Sequence, residues 1–310
     1  MKKNYMNYQK KKVIKMSENQ DKGLHKSIIN WFPGHMAKAL RQMKEKMNLV
    51  DIILELVDSR APLATTNPIL QEYQKKKCYL KIFTKIDLAD DQLTQEWKQE
   101  MEKKQIPALF VNLAKKESIS MILTKIKEIT APLVQKDIQR GLKPKTIRAM
   151  IVGIPNVGKS TLINALSKRK SAGVANKPGF TKAQQWIHCK DLDLLDTPGV
   201  LWPNLKENQN GIKLALLGSI KEEILPTHDL VKIAIAFLAK NYKTMWENHY
   251  QIAYHSNVET YLETFATKRG HLFQKDQLDY NRSEKAILND LKNGIIGKIT
   301  LERCNDDGWF

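Results

Sequence analysis

Gly153-Ile154-Pro155-Asn156-Val157-Gly158-Lys159-Ser160 has the G-x-x-x-x-G-K-S spacing of a loop that wraps phosphates. Backbone N–H groups at the start of a helix point at an anion there, and the helix dipole favours negative charge. Gly153 and Gly158 permit the tight turn and the close approach. Lys159 can reach the outer phosphates, Ser160 offers a hydroxyl to Mg²⁺, and Thr161 continues the helix start. Downstream, Asp196-Thr197-Pro198-Gly199 follows the strand-like run Leu192-Asp193-Leu194-Leu195. The Asp196 carboxylate can hold the same Mg²⁺, and the Gly199 N–H can contact a γ-phosphate. Between the two boxes, Thr181 in Pro178-Gly179-Phe180-Thr181 is the candidate switch threonine for the Mg²⁺ shell.

A third element selects the base. In Thr84-Lys85-Ile86-Asp87, Asp87 can accept two hydrogen bonds from guanine N1–H and the 2-amino group. Adenine offers no such pair and would leave the carboxylate unpaired. Lys85 can lie along the base plane. The usual pattern is N-K-x-D, so Thr84 departs from it, keeping a hydroxyl in place of an amide. Asn112-Leu113-Ala114-Lys115 stands where S-A-K is usual, and its backbone N–H groups can serve guanine O6 without the serine. These base elements lie upstream of the phosphate loop, Thr84 by about seventy residues. That order describes a circularly permuted GTPase.

The catalytic group is less plain. A glutamine often follows the D-x-x-G box and orients the attacking water. Here Val200 stands in that place and cannot hydrogen-bond water. The best replacement is His35, in Trp31-Phe32-Pro33-Gly34-His35-Met36-Ala37-Lys38, although a lone histidine ahead of a helix is ordinarily a cap or a surface residue.

These residues need an α/β scaffold to bring them together. Met36, Leu40, Met43 and Met47 recur at helical spacing over about 36–48. Residues 51–58, 78–83, 108–111, 147–152 and 192–195 read as strands. Helices are expected over about 91–104, 118–130 and 159–168. Gly141-Leu142-Lys143-Pro144-Lys145 reads as the linker that joins the old chain ends of an unpermuted domain. The alternation predicts a doubly wound, mostly parallel sheet. Past Pro203 the chain reads as helical, with Thr227 capping a run through Leu238 and Ser283 opening another through Leu291. The expected organisation is a basic, disordered arm over 1–30, a circularly permuted P-loop GTPase domain over 31–205, and a smaller all-helical domain over 206–310.

The 310 residues carry a net charge of +18. The arm holds eight lysines against two acids, residues 31–205 carry +12, and residues 206–310 are neutral. A basic chain of this kind suits a polyanionic partner such as nucleic acid, or simply presents a lysine-rich surface. Cys78, Cys189 and Cys304 are scattered, with no C-x-x-C pair, which argues against a zinc site or disulfide framework and for a reducing cytoplasm. No apolar run reaches the ~18 residues of a membrane span. The arm contains no arginine, unlike an organellar transit peptide.

Trp31 to Lys38, then Asp58-Ser59-Arg60-Ala61-Pro62-Leu63 with Asn67-Pro68, then the permuted boxes, resemble the ribosome biogenesis GTPase A (YlqF/RbgA) family. Lys268-Arg269-Gly270 and Gly297-Lys298-Ile299-Thr300-Leu301-Glu302 extend the resemblance over about 29–303. It implies a GTPase that acts late in assembly of the large (50S) ribosomal subunit, is stimulated by that particle, and has an RNA-contacting helical tail. It implies that His35 positions the water. It implies GTP contacts from Thr84, Lys85, Ile86, Asp87, Asn112, Leu113, Ala114, Asn156, Val157, Gly158, Lys159, Ser160, Thr161 and Gly199. Ser160, Thr181 and Asp196 would hold Mg²⁺. Asn156 matches the asparagine that helps bind K⁺ in potassium-dependent relatives. The expected partners are GTP/GDP and the large-subunit precursor with its rRNA; the expected state is a cytoplasmic monomer with no membrane contact. Lys168-Arg169-Lys170, between phosphate loop and switch threonine, is a candidate rRNA contact. A nucleotide-gated RNA scaffold and another RNA-processing GTPase are the rival readings.

Overall fold

In the computed structural model the described residues are 34–143, 145–167, 185–189, 192–197, 199, 201, 209–220, 226–272 and 277–305. The basic arm, Thr181, Lys168 to Lys170 and Val200 lie outside them, as does the side chain of His35.

Six strands form one sheet: β1 (Ile52–Asp58), β2 (Cys78–Thr84), β3 (Ala108–Phe110), β4 (Ile147–Val152), β5 (Gln185–Cys189) and β6 (Leu192–Asp196). Their order is β3-β2-β1-β4-β6-β5, and all pairs are parallel except β5 with β6. The chain leaves the middle in both directions, so the crevice at the carboxyl ends of β1 and β4 is the topological switch point where such sheets bind ligands. Counting from β4 as a first strand, the order becomes 6-5-4-1-3-2, and the base loops then follow the fifth and sixth strands. The permutation is thus a property of connectivity alone; the sheet is that of an unpermuted domain.

Alternate residues face opposite sides. Ile53, Tyr79, Met150, Val152 and Leu195 join Leu40, Met43 and Met47 of helix α1 (Gly34–Lys46) and the turn after it. Ile52, Leu54, Leu56, Leu80, Ile82 and Ile151 face the other way. With both faces covered, β1 is buried along its whole length, which explains a run that is apolar apart from Glu55 and the closing Asp58. One charge is tolerated within it: Glu55 accepts from the Asn67 N–H at 2.8 Å, receives the Tyr79 hydroxyl and pairs with Lys81 at 3.3 Å.

Two short helices follow β1, α2 (Pro62–Thr65) and α3 (Gln71–Gln74), and then α4 (Asp91–Lys103) follows β2. Helix α5 (Lys116–Gln139) runs well past the expected end near 130 and contains Pro132. Pro132 costs the helix its own N–H bond and crowds the Glu128 carbonyl one turn back, yet the helix continues, and Thr130 turns its hydroxyl back onto Ile126 O at 2.8 Å. Helix α6 (Lys159–Ser167) opens at the phosphate loop.

The chain ends in α7 (Gln209–Leu216), α8 (Thr227–Asn241), α9 (Lys243–Tyr250), α10 (Val258–Arg269) and α11 (Tyr280–Lys292). Two cap assignments are corrected. Pro226 precedes α8, and Thr227 is its first helical residue without a capping bond. Asp279 caps α11 by accepting from the Arg282 N–H at 2.8 Å, while Ser283 sits inside the first turn and donates to Asp279 O. Aspartate is the stronger acceptor for an N-terminal N–H.

One contiguous apolar core joins the sheet residues Leu54 and Ile151 to Leu214, Leu230, Trp246, Phe265, Ile299 and Leu301 of the last third. After α11 the chain returns to the sheet. The Ile299 N–H donates to Leu88 O at 3.0 Å, the Asp90 N–H to Thr300 Oγ1 at 3.0 Å, and the Leu301 N–H to Arg60 O at 2.6 Å. The Glu302 carboxylate accepts from the N–H groups of Leu63 and Ala64 at the start of α2 and pairs with Lys213 of α7 at 3.2 Å.

Candidate nucleotide site

Five chemical segments emerge at the carboxyl ends of parallel strands: Asp58-Ser59-Arg60 after β1, Thr84–Asp87 after β2, Asn112–Ala114 after β3, the phosphate loop after β4 and Asp196–Gly199 at the end of β6. The sheet therefore brings both displaced halves to one edge.

The phosphate loop has little freedom. A Cβ on Gly153 would lie 2.7 Å from Leu56 O and 2.8 Å from Val157 Cγ2. Asn156 has φ 62° and Gly158 φ 99°. These two left-handed residues bend the chain so that successive N–H groups can face one anion. Lys159 is buried and donates to Gly153 O at 2.9 Å and Ile154 O at 2.8 Å. Burial pushes its ammonium down to about 8, opposed by the charge of Asp196. It remains charged at neutral pH and folds back across the loop.

Asp196 is 1% exposed, and neither carboxylate oxygen has a hydrogen-bond partner among the described residues. Burial pushes its carboxyl up to about 6, opposed by the charge of Lys159 and by the neighbouring Thr197 N–H, which lies outside hydrogen-bond geometry. A buried carboxylate without a partner is costly unless a cation satisfies it. The residues thus fit a divalent cation, which Asp196 and Ser160 could hold. The box itself is clamped in place. Thr197 Oγ1 donates to Ile151 O at 2.6 Å, and a Cβ on Gly199 would lie 2.8 Å from Pro155 N. Gly199 is therefore pressed against the phosphate loop, where its N–H can serve a terminal phosphate.

Thr84 replaces asparagine without losing the tether. Its Oγ1 lies 2.8 Å from Val157 O and 3.1 Å from Val57 O, so one hydroxyl proton ties the base loop to the phosphate loop. Thr84→Val should therefore strand a buried carbonyl and weaken GDP binding by about tenfold, an isosteric change read by equilibrium binding. Asp87 is exposed and its carboxylate has no partner among the described residues, as a base reader needs. Ile86 is half-buried beside it. Lys85 has φ 58° and sends its ammonium to Asp58 Oδ2 at 2.8 Å. Asn112 Oδ1 accepts from the Ala114 N–H at 2.9 Å, closing a turn that presents backbone donors. Leu113 lies against the phosphate loop, 2.9 Å from where a Gly158 Cβ would stand. An apolar contact occupies the place of the usual serine.

Two features escape motif reading. Asn156 Nδ2 donates to Gly218 O, just beyond α7, at 2.6 Å, which joins the phosphate loop to the helical part. Asp58 and Arg60 form a buried ion pair under Lys85. The Asp58 signal was visible as a charge closing an apolar strand, but its partners were not.

The comparisons agree with this geometry. A family model described as "50S ribosome-binding GTPase" matches residues 148–262. The match begins in the phosphate-loop strand and leaves the displaced base elements outside. Ribosome biogenesis GTPase A of Bacillus licheniformis is 39% identical over 281 residues, covering 90% of this chain and 99% of the relative. Mitochondrial ribosome-associated GTPase 1 of Mus musculus is 32% identical, covering 89% of this chain and 90% of the relative. The crystal structure of GNP-bound YlqF from T. maritima superposes with a TM-score of 0.65 at 26% identity, covering 87% of this chain and 99% of that one. The chain belongs to the ribosome biogenesis GTPase A family.

Proposed function

We propose that this chain hydrolyses GTP as a checkpoint on the assembling large ribosomal subunit, whose particle and rRNA stimulate turnover. The observation that carries the chemistry is the unpartnered, buried Asp196 carboxylate beside Lys159, at the edge where phosphate loop and base box meet. Mg²⁺ held by Ser160, Thr181 and Asp196 would screen the phosphate charge. Lys159 and the loop N–H groups orient the phosphates, and Gly199 marks the terminal one. Asn156 is the candidate K⁺ ligand through its oxygen, since its nitrogen is engaged by Gly218 O.

His35 is the proposed water-positioning residue. Helix α1 spans thirteen residues, about 20 Å, and leads into β1 with Leu40 and Met43 packed beside Ile53, which supports a reading in which its first turn reaches toward the phosphate loop. No helix among the described residues is long and apolar enough to cross a membrane. A cytoplasmic monomer, with a helical module that contacts RNA and with Lys168 to Lys170 near rRNA phosphates, completes the reading.

Turnover measured with and without large-subunit particles, in K⁺ and in Na⁺, tests it. Stimulation by the particle, larger in K⁺, is expected. His35→Ala should keep near-normal GTP binding and lose particle-stimulated turnover by ~10²-fold or more. Unchanged turnover in that variant removes the histidine assignment. Equal turnover with and without particles favours the scaffold reading, which Val200 after the D-x-x-G box keeps in view.

A further inference from the structure

Lys85 is the base-side lysine, yet its ammonium does not project freely. It rests 2.8 Å from Asp58 Oδ2. Asp58 is fully buried and register-paired with Thr84 across β1 and β2. Its carboxylate accepts from Arg60 Nε at 3.0 Å, Arg60 Nη2 at 2.8 Å and the Arg60 N–H at 3.0 Å. Burial alone would raise the Asp58 carboxyl, but Arg60 and Lys85 hold it well below the usual carboxylate range. It therefore stays an anion at any physiological pH and a permanent anchor for Lys85.

Arg60 is in turn held from outside the sheet. Its Nη1 donates to Lys292 O, the last residue of α11, at 2.7 Å, and its own carbonyl accepts from the Leu301 N–H. A planar guanidinium can grip a carboxylate with two donors and still reach a third acceptor, which a lysine cannot do. The buried chain therefore runs from the segment after α11 through Arg60 and Asp58 to Lys85.

We propose that Asp58 and Arg60 are positioning residues for guanine recognition, acting through Lys85, with the end of α11 as their outer support. The inference rests on the guanine-nucleotide reading above. Asp58 fixes the ammonium so that the lysine stem lies stretched at the base loop, and Arg60 fixes Asp58. Neither residue is required to touch the nucleotide.

A double-mutant cycle in the full-length chain tests this, with GDP affinity and thermal midpoint measured for each variant. Lys85→Ala and Asp58→Asn should each raise the GDP Kd about tenfold. The double variant should bind no worse than Lys85→Ala, because Asp58 has nothing left to position. Additive losses would overturn the proposal and make Asp58 a structural residue only. If Asp58→Asn does not fold, Arg60→Lys replaces it in the same cycle, keeping the charge and losing the fork. ADP is the control: wild-type chain that binds ADP as well as GDP sinks the guanine reading itself, whereas selective wild type with additive losses sinks only the positioning role.

Discussion

Asp196→Asn should melt higher than the wild type in the absence of nucleotide and magnesium, and yet lose GTP turnover by ~10²-fold or more. The two effects have one cause. Burial raises the folded-state value to about 6 from an ordinary 3.8. A folded carboxyl that binds its proton more tightly than the unfolded one loses stability as pH rises between those values. Above about pH 6 the full penalty stands, ~2–3 kcal/mol for a shift of that size. The amide carries no such charge, so its advantage should grow from pH 4 to pH 6 and then level off. Thermal melts of both proteins across that range check the sign. Saturating GTP and Mg²⁺ should erase the gap or reverse it, since the cation satisfies the carboxylate only in the wild type. A wild type that melts higher at every pH without ligand would show that Asp196 already has a partner.

Lys213→Met should be among the most damaging single substitutions outside the nucleotide site, at about 3–5 kcal/mol. Lys213 and Glu302 are both buried, 3.2 Å apart, where α7, α2 and the last segment meet. Among the described residues, removing the lysine leaves the Glu302 carboxylate with the Leu63 and Ala64 N–H groups alone. Burial already pushes the Glu302 carboxyl up, with Lys213 the first influence against it. In the Lys213→Met protein that carboxyl should rise further, so the loss should be largest at neutral pH and shrink as pH falls. Adding Glu302→Gln to Lys213→Met should recover part of the stability, because the amide still accepts from α2 without a charge. Urea unfolding of the single and double variants decides it. Equal stability of Lys213→Met and wild type at neutral pH would contradict this account.

Much of the sheet was legible because both its faces are covered. Apolar runs such as Ile52 to Val57 and Ile147 to Val152 need no partner to be recognised as buried strands. The phosphate loop, Asp196 box and base box were legible because their chemistry constrains residue type and spacing together. Strand β5 was missed: Gln185 to Cys189 lies on the sheet edge, pairs antiparallel with β6, and is five residues long with the exposed His188 beside the buried Ile187, which leaves a weak local pattern. The end of α5 expected near 130 falls short of Gln139, where Pro132 interrupts the helical pattern without ending the helix. The two cap errors come from choosing the nearest hydroxyl residue over Pro226 and Asp279. The Asn156–Gly218 bond and the Arg60–Lys292 bond join residues 62 and 232 positions apart, which no local pattern can encode. Thr84 is the instructive case. The departure from asparagine keeps a hydroxyl in place of the amide, and that hydroxyl reaches Val157 O across the two loops.

The return of residues 299–302 to the loop behind Asp87 has a consequence for how the protein is made. Translation delivers the base box first, then the phosphate loop, and this buttress after both. Until Ile299, Thr300 and Leu301 emerge, Leu88 O, the Asp90 N–H and Arg60 O lack the partners that hold them in the finished chain. A nascent or prematurely released chain would carry every nucleotide motif and still lack the support of its base-side wall. The wall behind the base box thus takes hydrogen bonds from residues translated about 210 positions after it.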